Sequence, residues 1–191
     1  MSNWTLEAAI ERTGVLKKGH FLLSSGRHSD QYMQMAQLLQ YPAEAKEAGL
    51  AVAKLFADQQ IDLVVGPALG GVIIAHEVAS SLGVRCIFAE RKEGEMQIRR
   101  GFEVEAGERV LVIEDVVTTG GSVKEVIALL EAREAKIIGV GSLVDRTKGE
   151  NPFDVTYRAL KAVHIESYPA EDCPFCKDGV PVVKPGSRHN K

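Results

Sequence analysis

The chain lacks a long hydrophobic run. Its most apolar stretch, around Ile61–Ala75, is broken by Asp62, Gly66, Pro67, Gly70 and Gly71, so no membrane span is expected. Cysteine is scarce and odd in number, with Cys86, Cys173 and Cys176 alone. That excludes a disulfide scaffold and suits a reducing, cytoplasmic setting. Neither sign of charge is in marked excess: 23 basic against 26 acidic residues leave a net charge of −3. A general nucleic-acid coat is therefore not expected. The opening MSNWTLEAAIERTG has no basic segment followed by an apolar core, so it does not read as a secretory signal. Two phosphate-binding fingerprints are also missing, the GxxxxGK[ST] loop and the GxGxxG turn. What remains is 191 residues, 45% apolar and 26% charged, the composition of one compact domain large enough to need no staples.

A periodic pattern begins at once. Thr5–Arg12 reads as a short amphipathic helix, N-capped by Thr5 and stopped by Gly14. Lys18–Met35 reads as irregular strand and loop. Pro42 opens a helix running to about Gln59, with Leu50, Ala53, Lys54, Phe56 and Ala57 on its apolar side. From residue 61 strands and helices alternate: Ile61–Val65, helix Val72–Leu82, Arg85–Ala89, Arg109–Ile113, helix Gly121–Arg133, Lys136–Leu143. A further strand is expected near Ala162–Ser167, before a tail rich in Pro and Gly. Short β-branched runs between helices predict an α/β fold, a doubly wound and mainly parallel sheet covered on both faces.

The stretch Val110–Ser122 carries most of the chemistry. An apolar strand runs into Glu114-Asp115, then Val116-Val117-Thr118-Thr119-Gly120-Gly121-Ser122, then a helix. Ligands of open α/β sheets bind beyond the carboxyl ends of the strands. A hydroxyl- and glycine-rich loop ending at a helix N-terminus offers free N–H groups and a dipole that favours phosphate. Two carboxylates beside such a loop suit a phosphate carried next to vicinal hydroxyls, as in a sugar phosphate. The alternative, an acidic pair that merely ends a strand, leaves the Thr-Thr-Gly-Gly-Ser run unexplained.

Val110–Ser122 resembles the phosphoribosyl-pyrophosphate (PRPP) signature of the type I phosphoribosyltransferases. The resemblance implies a single domain, with a core over about 42–148 and a small hood from about 1–40 and 150–191. It implies that Glu114 and Asp115 hold the ribose hydroxyls and that Thr118–Ser122 wrap the 5-phosphate, with Val116 and Val117 leading into the loop. Ala68, Leu69 and Gly70 fall in the family's pyrophosphate loop; some orotate members carry a lysine where this chain has Gly70. Glu90–Gly107 is expected to be a long charged loop, and Arg91-Lys92 match the basic pair opening the family's mobile catalytic loop, which in orotate enzymes comes from the neighbouring subunit. Arg99 and Arg100 are further cations of that segment. The alternative reading of 90–101 is a solvated hairpin whose charges nearly cancel.

Gly19–Asp30 is similar to the base-binding segment of the orotate members, with Ser24 where some have a lysine. The backbone of Ser25, Gly26 and Arg27 is assigned to the base on that ground, together with Thr118. Arg146, following Asp145 at a strand end, falls where the family meets the carboxylate of orotate, and a guanidinium suits that group. The tail CPFCKDGVPVVKPGSR resembles one bacterial orotate subgroup. Its Cys173-Pro174-Phe175-Cys176 offers two of the four ligands a structural zinc needs, and no second CxxC exists. A lone His20 or His28 reads as structural. The expected activity is transfer of the phosphoribosyl group of PRPP to orotate, giving orotidine 5′-phosphate and pyrophosphate in pyrimidine biosynthesis. Mg²⁺ is expected to be held mainly by PRPP, near Asp115, with no direct protein ligand. A cytoplasmic homodimer with shared active sites is expected, with neither nucleic acid nor membrane as partner. Alternatives on the same fold are a purine-base transferase and a PRPP-sensing regulator. The regulator would need a DNA-binding module that the short N-terminal helix does not provide.

Overall fold

The computed structural model describes residues 4–23 and 25–185, so Ser24 and the end of the tail lie outside it. Helix α1 (Leu6–Thr13) starts as expected: Thr5 Oγ1 accepts from Ala8 N at 3.3 Å, and Gly14 closes the helix at φ 66°. Residues 16–33 are more regular than expected. Strands β1 (Leu16–Leu22) and β2 (His28–Met33) form an antiparallel hairpin with a register shift between Lys18 and Phe21. A single turn, α2 (Ala36–Leu39), leads to α3 (Pro42–Leu55).

Helix α3 ends four residues before the expected Gln59. The Arg158 guanidinium binds the Leu55 carbonyl and also Asp58, while Phe56 turns its ring into the core. The buried side of α3 is Ala45, Ala48, Gly49, Val52 and Ala53, whereas Leu50, Lys54 and Ala57 are exposed. The expected stripe is thus displaced, because α3 packs on another helix rather than on the sheet alone. Small residues permit the close approach.

The main sheet comprises β3 (Leu63–Pro67), β4 (Arg85–Lys92), β5 (Glu95–Ile98), β6 (Arg109–Val117), β7 (Lys136–Asp145) and β8 (Tyr157–Ala162). Its order is β5-β4-β3-β6-β7-β8, parallel except for the β4–β5 hairpin. Helix α4 (Gly70–Leu82) carries the chain from β3 out to β4, and α5 (Gly121–Glu131) carries it from β6 out to β7. The winding therefore reverses between β3 and β6, which opens a crevice beyond their carboxyl ends.

Alternation along the strands sorts the core into two. Val64, Leu111, Ile113 and Leu143 face the layer of α1–α4. Leu63, Val65, Val110, Val112 and Val140 face α5, Met96 and Phe153. The last strand is β8, ending where the strand expected at Ala162–Ser167 was to begin. Residues beyond it leave the sheet to meet β2: His28 and Tyr168 exchange backbone bonds of 2.8 Å, and Ser29 Oγ donates to Glu166 O at 2.7 Å. The tail then runs beside β1, with Leu22 N donating to Val183 O and Val183 N to His20 O. A short 3₁₀ turn (Ala170–Asp172) and the one-turn helix α6 (Pro174–Lys177) lie between. No helix among the described residues is long and apolar enough to cross a membrane.

A Cβ at Gly49 would lie 2.5 Å from Glu77 Cβ and 2.7 Å from the Glu77 backbone carbon, so it sets the separation of α3 and α4. Gly49→Ala should gain about 1 kcal/mol in helix propensity yet lose more by forcing the helices apart, for a net destabilisation of about 1–2 kcal/mol in urea titration.

Candidate active site

Three segments meet at the crevice. The first is the turn after β3, where Ala68 and Leu69 are joined by a cis peptide and α4 begins at Gly70. Gly66 and Pro67, expected in this turn, instead complete β3. Leu69 is 86% exposed.

The second is the end of β6, which continues through Glu114 and Asp115 to Val117. Here the two carboxylates face the start of α4: a Cβ at Gly70 would meet Asp115 Oδ1 at 2.8 Å, and one at Gly71 would meet Glu114 Oε1 at 3.2 Å. Any side chain at residue 70, lysine included, would have to displace the Asp115 carboxylate. Burial, followed by the neighbouring Asp115 charge, pushes the Glu114 carboxyl well above the usual carboxylate range. Burial also raises Asp115, partly offset by its hydrogen bond with Glu114 and by the bond from Val116 N at 2.8 Å. The pair thus resists full ionisation, and hydroxyl donors or a cation would stabilise its charged form.

Thr118–Ser122 form the wall of a cleft of about 310 Å³, with Glu114, Arg91 and Glu125 on its other sides. Gly120 takes φ 74° at the N-cap of α5, where a Cβ would strike Phe153 at 2.7 Å. No side chain caps α5, and no acidic residue stands in its first turn. Its N–H groups are left for an anion.

The third segment is the end of β7. Pairing of Val117 with Asp145 sets Arg146 beside the β6 loop, and Arg146 N donates to Val117 O at 2.8 Å. The Arg146 guanidinium is half-buried, makes no ion pair among the described residues, and leaves Nε without a partner. Asp145 instead accepts from Thr147 N, which removes the reading of 145–146 as a surface ion pair. Two of the three buried, unpartnered side-chain atoms among the described residues are Arg146 Nε and Thr147 Oγ1, as in a polar site awaiting a ligand. Burial lowers the Arg146 pKa from its ordinary value, a penalty that an anionic ligand relieves.

Other expected residues stand elsewhere. The long loop over 90–107 is corrected: Arg91-Lys92 end β4, Glu93 and Gly94 turn with φ 55° and 91°, and β5 pairs back from Glu95. Positive φ at both central residues is the geometry of a two-residue hairpin. Arg91 bonds Glu125 of α5 at 2.6 Å and so lines the cleft of its own chain. Lys92 is exposed, while Arg99 and Arg100 pair with Glu90. Arg27 is likewise engaged, bonding Ser167, and lines a second cleft of about 580 Å³ with Lys148 and Glu166. The Gly26 amide is spent on Leu23 O within a tight turn, leaving it no bond for a base. One residue that sequence reasoning missed is Tyr32, whose hydroxyl pKa is raised by burial first and by the Asp115 charge second. It is placed by the β1–β2 register, for which the sequence holds no local signal. His20, His28, Cys173 and Cys176, read separately from sequence, come together in the hood.

The phosphoribosyl transferase domain profile matches residues 34–167. The chain is 52% identical over 179 residues to the orotate phosphoribosyltransferase of Thermoanaerobacter sp. (strain X514), covering 94% of each chain. It is 53% identical, at the same coverage, to that of Caldanaerobacter subterraneus subsp. tengcongensis. Among solved structures it resembles the orotate phosphoribosyltransferase from Aeropyrum pernix, with TM-score 0.71 and 26% identity over 83% of this chain and 94% of that one. On this ground the chain belongs to the phosphoribosyltransferase family, and both of these close sequence relatives are orotate phosphoribosyltransferases.

Proposed function

We propose that this site transfers the 5-phosphoribosyl group of PRPP to orotate, releasing orotidine 5′-phosphate and pyrophosphate in pyrimidine biosynthesis. The observation that carries the reading is the meeting, at one crevice, of a partly buried carboxylate pair, an uncapped helix N-terminus and an arginine with no ion pair among the described residues. The 5-phosphate sits on the N–H groups of Thr118–Ser122, and the ribose 2- and 3-hydroxyls donate to Glu114 and Asp115. Arg146 pairs with the orotate carboxylate, and Ala68–Gly70 lie beside the pyrophosphate. The base nitrogen is the nucleophile, so the chain supplies no covalent catalyst. It positions two anionic substrates and stabilises charge as the C1–pyrophosphate bond breaks. Arg91, at the rim of the same cleft, is placed to add positive charge there.

The carboxylate pair also fits a hard divalent cation, which prefers oxygen donors. Mg²⁺ held by PRPP next to Asp115 would neutralise the leaving pyrophosphate, and Asp115 would hold its side of the complex. The proposal includes a cytoplasmic homodimer, which rests on the family resemblance. The hairpin's contact with its own α5 supports Arg91 acting in its own subunit.

A panel of orotate, uracil, adenine, guanine, hypoxanthine and xanthine, each with PRPP and Mg²⁺, tests the assignment through pyrophosphate release. Orotate should be fastest; faster release with any purine overturns it. Arg146→Ala should raise KM for orotate roughly 10- to 100-fold, the loss of a charge-assisted contact, and leave KM for PRPP near wild type. An equal rise in both constants would assign Arg146 to the fold.

A second expectation follows from linkage. The folded chain holds the Glu114 proton more tightly than the unfolded chain does, so this group lowers stability as pH rises above the ordinary carboxyl range. Glu114→Gln should therefore melt higher than wild type at pH 7.5, an advantage that shrinks as pH falls toward about 4.3. PRPP-dependent turnover should fall at least about tenfold with the loss of a charged acceptor. A variant no more stable at pH 7.5 than at pH 4.5, relative to wild type, would contradict the burial argument.

A further inference from the structure

The hood contains a second cluster of reactive side chains, remote in sequence from the crevice motifs. His20 lies on β1, His28 opens β2, and Cys173 and Cys176 flank the start of α6. Four ligand atoms converge: His20 Nε2, His28 Nδ1 and the two Sγ atoms all lie within 4.8 Å of one another. His20 Nε2 is 2.8 Å from His28 Nδ1, 3.4 Å from Cys173 Sγ and 3.7 Å from Cys176 Sγ, while Cys176 Sγ is 3.2 Å from His28 Nδ1. A tetrahedral zinc with bonds of about 2.3 Å to sulfur and 2.0–2.1 Å to nitrogen sets its ligands about 3.3–3.8 Å apart. The two contacts of His20 Nε2 with sulfur fall within that range, and the His20–His28 and Cys176–His28 contacts are shorter.

Three further features distinguish this from an accidental group. Cys173 is fully buried, and His20 and His28 are 3% and 7% exposed, so three of the four donors sit away from water. His20 Nδ1 lies 2.8 Å from Val180 O, and a proton donated there leaves the Nε2 lone pair facing the other three ligands. A backbone carbonyl orienting a ligand histidine is the usual outer support of a zinc site. Finally, Phe175 covers the His20 ring at 5.6 Å. From sequence the CxxC lacked two ligands; the fold supplies them from the other end of the chain.

We infer that His20, His28, Cys173 and Cys176 form a structural Zn²⁺ site that fastens the C-terminal tail to the β1–β2 hairpin. All four positions are filled by protein, which leaves no open position for catalysis. The two histidines stand on the paired strands β1 and β2, so the metal fixes that hairpin as well as the tail. The inference stands apart from the Mg²⁺ reading, since soft thiolates and imidazoles discriminate against that ion.

The test uses the full chain without an affinity tag, expressed with zinc in the medium. Elemental analysis should give about one zinc per chain, and Cys173→Ser/Cys176→Ser should give none. Because that variant risks misfolding, wild-type protein is also titrated with a mercurial thiol reagent in the presence of a zinc-sensitive dye; zinc should appear in step with modification of two thiols. Co²⁺ in place of Zn²⁺ should show the intense visible bands and thiolate charge transfer of a tetrahedral S₂N₂ site. Zinc removal should lower the melting temperature by on the order of 5–10 °C, as loss of a folding-linked metal. Metal-free wild type with a Cys173–Cys176 disulfide, or zinc retained after both cysteines are replaced, would overturn the assignment.

Discussion

The site depends on one close approach. Helix α4 begins almost on top of the end of β6, and it does so because residues 70 and 71 have no side chains. Gly71 would otherwise drive a Cβ to 2.8 Å from the Ile113 carbonyl, and Gly70 would meet both Asp115 oxygens. Gly66 allows the same closeness from the β3 side, where a Cβ would lie 2.6 Å from Gly71 O. This contact places the positive end of a helix against a carboxylate pair that burial would otherwise leave costly. It also brings the β3 turn and the β6 loop close enough to share one ligand. Negative charge, helix N-termini and the reversal of winding then fall at one point.

The parallel core was legible because period and punctuation agreed. Runs such as Val110–Ile113, bounded by charge and glycine, admit one reading, and Glu114-Asp115 followed by Thr-Thr-Gly-Gly-Ser is a signal carried by adjacent residues. Arg146 was legible for a related reason, since a strand end fixes which side of the sheet follows. The misreadings occur where distant residues decide. Helix α3 stops at Leu55 because Arg158 takes its carbonyl, a partner 103 positions away. The buried side of α3 is set by Glu77 of α4, so hydrophobicity alone pointed to Leu50 instead. The charged stretch from Glu90 looked like a loop because Glu93-Gly94 is a weak hairpin signal and Met96 is the one buried residue of β5.

That hairpin changes how the cations are understood. In sequence, Arg91, Lys92, Arg99 and Arg100 form a dense positive segment. In the fold, Glu90 takes two of them and Glu125 a third. Exposed pairs of this kind contribute little to stability and are readily exchanged for a stronger anion. Arg91 is held at the cleft by a carboxylate that a polyphosphate can displace, which keeps the guanidinium in position without sealing the site.

The hood joins the two ends of the chain: β1 and β2 meet residues 166–183, with partners such as His20 and Val180 separated by 160 positions. The sheet between them is built from pairings of much shorter span. During synthesis β1 and β2 emerge early, yet their contacts with residues 166–183 form only once that segment has been made. Closing so long a loop is entropically expensive until the intervening sheet has folded and drawn the ends together. The order of assembly is therefore the reverse of what position along the chain suggests. The strands that begin the molecule are completed last, and a ribosome-bound chain presents a finished sheet with an open hairpin beside it.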